Sequence, residues 1–230
     1  MIKKWVTAAC LFLSASALLA GDVAQFVNLG FSEDAETFMF GQYGILDDSA
    51  RPYAETFLVD VSANDFVSGG VRQRVFDTPV SVGQDGSAAL HRLIREQAEM
   101  IDRQRIDHLD QGRIIYVLID GATPEPTLSF RDFQRDARYD VELIQERRGT
   151  GSDVSAAFHI RLQVDYGDGR VRNHTIGLPD FYRDGVGSYL IRQILLAPDE
   201  SGIVFVVEMR RPSPGGQAIR YMVETAALAR

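Results

Sequence analysis

The chain has 230 residues, with 32 acidic and 24 basic side chains and a formal net charge of −8. A net-acidic chain without a basic run repels phosphate backbones, so nucleic acid is excluded as an expected partner. The single cysteine, Cys10, lies near the N-terminus, so the rest of the chain has neither a disulfide nor a cysteine nucleophile.

The first 20 residues have the pattern of a secretory signal peptide. Lys3 and Lys4 form a positive start, an apolar run of about 15 residues follows, and small residues end it. The run is short for a transmembrane helix, so we expect export and cleavage after Ala20. An uncleaved membrane anchor and lipidation at Cys10 are the alternatives.

Export defines the expected surroundings of the mature chain, residues 21–230. This part has no cysteine and no lysine, and its net charge becomes −10 once Lys3 and Lys4 are removed. Because it has no cysteine, packing without disulfides must stabilise it, which suits a bacterial periplasm. Because it has no lysine, Schiff-base chemistry is excluded. The length allows a substantial core and no linker divides it, so we predict a single secreted domain.

Most of the mature sequence predicts β-structure. Residues 54–61 and 113–120 are dense in β-branched and aromatic residues, and residues 139–144 begin with clear alternation. Because residues 113–120 are apolar nearly throughout, they predict a strand buried on both faces. Residues 158–165 alternate between apolar and polar side chains, and a tight turn then predicts a hairpin with residues 170–176.

Residues 87–109 break the β-pattern. Charged pairs four residues apart accompany an apolar stripe at helical spacing, formed by Leu90, Leu93, Ile94, Ala98, Ile101 and Leu109. We therefore predict one amphipathic surface helix in this region. The predicted fold class is mainly β: an irregular β-rich single domain, propeller-like or sandwich-like, with that helix on its surface.

Two ten-residue segments share one pattern, FSEDAETFMF at residues 31–40 and LAPDESGIVF at residues 196–205. Each has an aspartate at its fourth place, Asp34 or Asp199, and aspartate ties its side chain to backbone amides in tight turns. The spacing resembles the turn and following strand of TolB-type and WD-type propeller blades. The middle of the chain has no further copy, so we expect these two hairpins to lie near each other, with an irregular β-rich body between them.

At a wider scale the chain resembles an uncharacterised family of bacterial predicted secreted proteins. The resemblance is carried by residues 26–44 (FVNLGFSEDAETFMFGQYG), 59–70 (VDVSANDFVSGG) and 175–208 (TIGLPDFYRDGVGSYLIRQILLAPDESGIVFVVE). It implies an exported, β-rich protein, and it implies no catalytic residues.

The segment with the most recognition chemistry is PDFYRDGVG, residues 179–187, which we predict to be a loop before a strand. The candidate residues for binding a ligand or partner are Asp180, Phe181, Tyr182, Arg183 and Asp184. Exposed aromatic rings beside an arginine favour recognition of a protein partner or a sugar ring. The alternative is that Phe181 and Tyr182 plug the end of the β-body.

Three other patterns each allow a functional interpretation, as a binding site, and a purely structural one. DYGDG at residues 165–169 could donate oxygens to Ca²⁺, but it also fits a hairpin turn, in which a two-residue loop would place Asp165 opposite Arg172. His159 and His174 could approach each other on the polar face of that hairpin, without a third metal ligand. Residues 147–152 could bind an anion or form a surface loop.

These observations predict no catalytic residues, no metal and no cofactor. We expect a non-enzymatic periplasmic protein that binds another envelope protein or a glycan. The alternative is an envelope hydrolase that cleaves glycans with two carboxylates. The acids to search for such a pair lie in or near predicted loops: Asp47, Asp48, Asp132, Asp136, Asp180 and Asp184.

Overall fold

The computed structural model describes residues 22–81, 83–213 and 216–228, apart from the side chain of Ser152. The expected signal peptide, its cleavage after Ala20 and the question of Cys10 lie outside these residues. None of the helices in the described ranges is long and apolar enough to cross a membrane.

Strands dominate the described chain, as the sequence predicts. The strands are β1 (Gln25–Ser32), β2 (Thr37–Ile45), β3 (Pro52–Asp60), β4 (Asp65–Phe66), β5 (Arg72–Val75), β6 (Ile106–Asp107), β7 (Arg113–Val117), β8 (Thr127–Asp132), β9 (Ala137–Arg148), β10 (Ser155–Asp165), β11 (Val171–Asp184), β12 (Ser188–Leu196), β13 (Gly202–Ser213) and β14 (Gly216–Ala227). The helices are α1 (Ser87–Glu96) and α2 (Ala98–Arg103), and a 3-10 turn covers Gly151–Asp153.

The strands form three antiparallel sheets. The helix-covered sheet has the order β4-β3-β2-β1-β6, and β5 pairs with the other end of β3. The central sheet has the order β14-β13-β12-β7, and the solvent-facing sheet has the order β11-β10-β9-β8. Together the sheets form a single domain.

The central sheet is buried on both faces because the other two sheets pack against it. On β13, Ile203, Phe205 and Val207 join the core shared with the solvent-facing sheet. Val204 and Val206, which point the other way, join the core shared with the helix-covered sheet. Since a strand with two buried faces needs apolar residues at successive positions, β13 reads GIVFVV rather than alternating. The result is a stack of three sheets.

The predicted helix over residues 87–109 is shorter than expected and is divided in two. The chain leaves helical geometry at Gln97 (φ −108°, ψ 8°), and α2 ends at Arg103. The Gln97 side chain accepts a hydrogen bond of 2.9 Å from the Thr56 hydroxyl. The stripe therefore covers the helix-covered sheet with Leu90, Leu93 and Ile101, whereas Leu109 lies beyond the helix and is 92% exposed.

The prediction that residues 113–120 form a strand buried on both faces is wrong. These residues form β7 and the chain after it, and β7 lies at one edge of the central sheet. Ile114, Val117 and Ile119 are exposed by half or more. An apolar run is compatible with a buried strand and equally with an edge that is open to a partner, and composition does not separate the two.

The hairpin of β10 and β11 confirms the predicted alternation and corrects two details. Phe158, Ile160, Leu162 and Val164 are buried, as predicted. Asp165 lies opposite Val171 rather than Arg172, because the loop is longer than two residues. His159 pairs with Gly177 and His174 pairs with Leu162, so the two histidines lie on opposite faces of the sheet and do not approach on one.

The two similar segments form the same turn, and their hairpins pack together. Ala35 and Glu200, at matching places, both have φ of 60°. The backbone N–H of each donates over 2.8 Å to the carbonyl three residues earlier. The two hairpins share the core between the helix-covered and central sheets, so their predicted proximity is confirmed. The likeness to a propeller blade stays a prediction.

Candidate functional site

The predicted binding loop, residues 179–187, lies mostly inside a strand. β11 continues to Asp184, and Ala156 pairs with Arg183 while Phe158 pairs with Leu178. One residue of β10 therefore faces four residues of β11, which bulge out of the ladder. The bulge begins at Pro179, which has no N–H to donate, and such positions tolerate proline. The prediction of a loop here is wrong, and the feature is a bulge in an edge strand.

The bulge separates the five predicted site residues. Phe181 is 52% exposed, and its ring lies 4.8 Å from the guanidinium of Arg183. Tyr182 packs under the guanidinium of Arg148 at 3.6 Å, and its hydroxyl holds the pKa of Glu146 below the usual range. Asp180 and Asp184 are exposed. Of the five residues, Arg183 is the one that lines a cleft.

That cleft lies where the three sheets meet and has a volume of about 270 Å³. The turn before β4, the strand β11 and the edge strand β14 each contribute side chains to it. We call it the junction cleft and define it by Asn64, Phe66, Leu178, Arg183, Val223 and Glu224. Phe66 and Leu178 are 52% and 62% exposed, so large apolar side chains stand at its rim.

Glu224 is the buried acid of the junction cleft, with 5% exposure. Asn64 Nδ2 donates to its Oε2 over 2.5 Å, and Arg183 Nη2 lies 3.9 Å from its Oε1. Burial raises the pKa of Glu224 above its usual range, against the lowering effects of the Asn64 hydrogen bond and the Arg183 charge. The cleft thus combines a buried carboxyl group with an amide and a guanidinium.

Asn64 is held in place by the turn that precedes it. Asp60 Oδ1 accepts hydrogen bonds from the amides of Ser62 and Ala63, at 2.9 and 2.8 Å. Asn64 then adopts φ of 53°, a left-handed conformation that asparagine tolerates well. Its Oδ1 accepts from the backbone N–H of Thr225 at 2.7 Å. One side chain therefore joins the helix-covered sheet to the central sheet and supports Glu224.

β14 is an edge strand whose outward backbone groups are covered one by one. The Ile219 N–H donates to Asp22 O, the Tyr221 N–H to Gln42 Oε1 and the Thr225 N–H to Asn64 Oδ1. Pairing with β13 runs through this region without a bulge, so Val223 N–H and C=O point the same way. Among the described residues no partner for these two groups is found, and Val223 lines the junction cleft.

Three of the other candidate acids have ordinary structural partners. Asp132 accepts a bidentate pair from Arg113, at 3.0 and 2.7 Å. Asp165 and Asp168 accept from the backbone amides of Gly167 and Arg170 within the hairpin loop, which favours the turn interpretation over a calcium loop. In the described part of the chain, no group of three or more histidine, cysteine or acidic side chains could hold a metal ion.

Sequence reasoning missed most of the cleft. Asn64 and Glu224 are 160 residues apart, and nothing near either one marks it as a site residue. One signal was available, because the segments 59–70 and 175–208, which carry the family resemblance, both contribute walls to the cleft.

Fold and site together define a layered β-sheet protein with a small, partly polar cleft at the junction of its sheets. The chain belongs to the family described as predicted secreted protein (DUF2259), whose model matches residues 39–227. No curated protein and no solved structure matches the chain. The expected family resemblance is confirmed, and with it the description as a predicted secreted protein.

Proposed function

We propose that this chain is an exported, non-enzymatic protein of the bacterial periplasm that binds another envelope protein in the junction cleft. The observation that carries the proposal is that Val223, which is 8% exposed, lines the cleft with backbone groups that have no partner among the described residues, between two exposed apolar side chains, Phe66 and Leu178. An extended peptide can hydrogen-bond to a free strand edge while its side chains occupy neighbouring pockets. A glycan could contact the ring of Phe66 at the rim of the cleft. An extended peptide would in addition bring a backbone N–H and C=O that can pair with those of Val223.

The proposed location is supported by the signal-peptide pattern of residues 1–20 and by the absence of cysteine from residues 21–230. Cleavage after Ala20 would give a mature protein that begins at Gly21. N-terminal sequencing of the protein from a periplasmic extract tests this part. An intact N-terminus in the cytosolic fraction would contradict it.

The binding role is tested with an immobilised mature chain and an envelope extract. Leu178→Asp places a charge at the rim of the junction cleft, and Phe133→Asp makes a matched change at a side chain that is 84% exposed outside the cleft. We expect an envelope protein to be retained by the wild type and by Phe133→Asp and to be lost with Leu178→Asp. Equal recovery by all three forms would remove the cleft as the binding site.

A carboxylate-dependent hydrolase that acts on envelope glycans is the second candidate. The observation in its favour is that Glu224 and Asp65 line the same cleft and that burial raises the pKa of Glu224, as a general acid requires. Release of reducing ends from an envelope glycan by the wild type, and its loss in Glu224→Gln, would support this candidate. Equal rates for both forms would exclude Glu224 as the acid.

A further inference from the structure

The central sheet has one edge that is covered except at Val223 and one edge that is open. Asp22, Gln42 and Asn64 cover the edge at β14, as described above. The other edge is β7, which pairs with β12 and with no further strand of the described chain. Ile114, Val117 and Ile119 on or beside β7 are 54%, 50% and 72% exposed. An apolar edge strand of this kind is a template for pairing with another strand.

The backbone of this edge is free at its centre. The Leu118 N–H donates to Arg192 O over 2.9 Å, so the backbone groups of Leu118 point toward β12. Backbone groups alternate in direction along an antiparallel strand, so Val117 N–H and C=O point away from the sheet. No hydrogen-bond partner for them is found in the described part of the chain.

We propose that β7 pairs in antiparallel fashion with β7 of a second copy of this chain, about a two-fold axis at Val117, so that two central sheets become one. The strand already has a bulge at Ile115, between Ile114 and Tyr116. When that residue is skipped, residues on the same face of the sheet meet across the axis. The pairs are Val117 with Val117, Tyr116 with Leu118, and Ile114 with Ile119, after which the chain turns and the Ala122 N–H donates to Ile119 O.

The charges along this edge are also compatible with pairing between two copies of it. The axis brings Arg113 of one copy toward the turn of the other copy that contains Asp120, so no like charges meet beyond the paired residues. Within its own chain Arg113 already pairs with Asp132 and Glu200, and Asp120 pairs with Arg192. A symmetric contact of this type closes at two copies and leaves no apolar edge open, whereas a foreign strand would need its own matching sequence.

The contact is independent of the proposed binding function. The junction cleft lies at the β14 edge of the central sheet, and the proposed contact uses the opposite edge. Loss of dimerisation would therefore leave binding in the cleft intact, and loss of binding would leave the dimer intact.

A cysteine at the axis tests the geometry directly. The mature chain, residues 21–230, contains no cysteine, so Val117→Cys introduces a single thiol that meets its own copy across the axis. In the proposed contact Val117 forms a hydrogen-bonded pair with its own copy, and the Cα atoms of such a pair are about 5.5 Å apart, within the range of disulfides. We expect mild oxidation to convert Val117→Cys into a covalent dimer on a non-reducing gel. The control is Val171→Cys, at a similarly exposed valine on the edge strand β11, and it should stay monomeric.

The mass in solution tests the contact without a new bond. By light scattering we expect the wild-type mature chain to have twice the monomer mass. Val117→Pro removes an N–H that the fold itself does not use, and Val117→Lys places two like charges at the axis. Both should give folded monomers, with a dissociation constant raised at least about tenfold. A monomeric wild type at high concentration, or a dimer that survives both changes, would overturn the proposal.

Discussion

At the scale of single residues, the junction cleft depends on the way in which Glu224 is held. Asn64 donates to its carboxylate, Arg183 lies nearby, and the backbone of Gly177 passes beneath it. Gly177 has φ of 87°, and a Cβ atom there would lie 3.3 Å from the Glu224 carboxylate. Glycine therefore avoids two separate costs here, the strain of the backbone conformation and a tight contact with the carboxylate.

Gly177→Ala separates these two reasons when it is compared with Gly169→Ala. Gly169 has a similar φ of 91°, but a Cβ atom there would meet nothing within 4 Å. We expect Gly169→Ala to lower the free energy of unfolding by about 1–2 kcal/mol through backbone strain alone. Gly177→Ala should cost at least about 1 kcal/mol more, because the buried carboxylate must also move. Urea unfolding measures both, and equal losses would show that Glu224 does not press on Gly177.

The raised pKa of Glu224 predicts a pH dependence with a definite sign. Its pKa in the folded chain lies above its ordinary value of 4.5, so the folded state binds the proton more tightly than the unfolded state. The contribution of Glu224 to the free energy of unfolding therefore falls as the pH rises above 4.5. An amide at this position stays neutral at every pH, so we expect Glu224→Gln to match the wild type at low pH and to become the more stable form as pH rises. A stability difference that does not change with pH would contradict the burial of a charged group at this position.

At the scale of elements, the edge of β14 is protected by side chains from other parts of the chain. Gln42 lies on β2 and is 1% exposed. Its Oε1 accepts from the Tyr221 N–H at 2.7 Å, and its Nε2 donates to the Tyr221 carbonyl at 3.3 Å. Asn64 serves Thr225 in the same manner, by accepting from its N–H. Each of these two side chains supplies, at one residue of β14, the hydrogen-bond partner that a neighbouring strand would otherwise provide.

Hydrogen exchange tests this residue-by-residue protection. In Gln42→Ala the Tyr221 amide loses its acceptor, and we expect its exchange to become at least about tenfold faster while the Thr225 amide is unchanged. Asn64→Gly, which keeps the left-handed backbone available, should show the reverse pattern. If either change exposed the whole of β14 equally, the strand would be stabilised as a unit instead.

The strands could be predicted where one face is buried and the other is exposed to solvent. Other strands were harder to predict. Residues 158–165 alternate because they separate a core from solvent, and β10 has the predicted faces. The apolar run at residues 113–120 was misleading because burial on two faces and an open apolar edge demand the same residues. Residues 179–187 contain a proline and glycines that indicate a loop, but the pairing of Arg183 and Asp184 with β10 beyond the bulge continues β11 to Asp184.

At the scale of the whole molecule, three sheets stack in layers, and the site forms where the layers meet. The predicted mainly β single domain is confirmed, and the predicted binding segment contributes Arg183 to the cleft. The rest of the cleft was harder to predict, because no local motif marks Asn64 or Glu224 as a site residue, and Leu178 lies just before the predicted segment. Their proximity depends on the packing of three sheets, which no short stretch of sequence encodes.

Site-specific photocrosslinking in the periplasm tests the central claim, that the junction cleft binds an envelope protein. A photoreactive phenylalanine analogue at Phe66 lies on the rim of the cleft, and the same analogue at Phe133 is exposed elsewhere. We predict a discrete crosslinked envelope protein from position 66 that is absent from position 133 and is lost when Leu178→Asp is added. No crosslink at position 66, or the same products from both positions, would contradict the account.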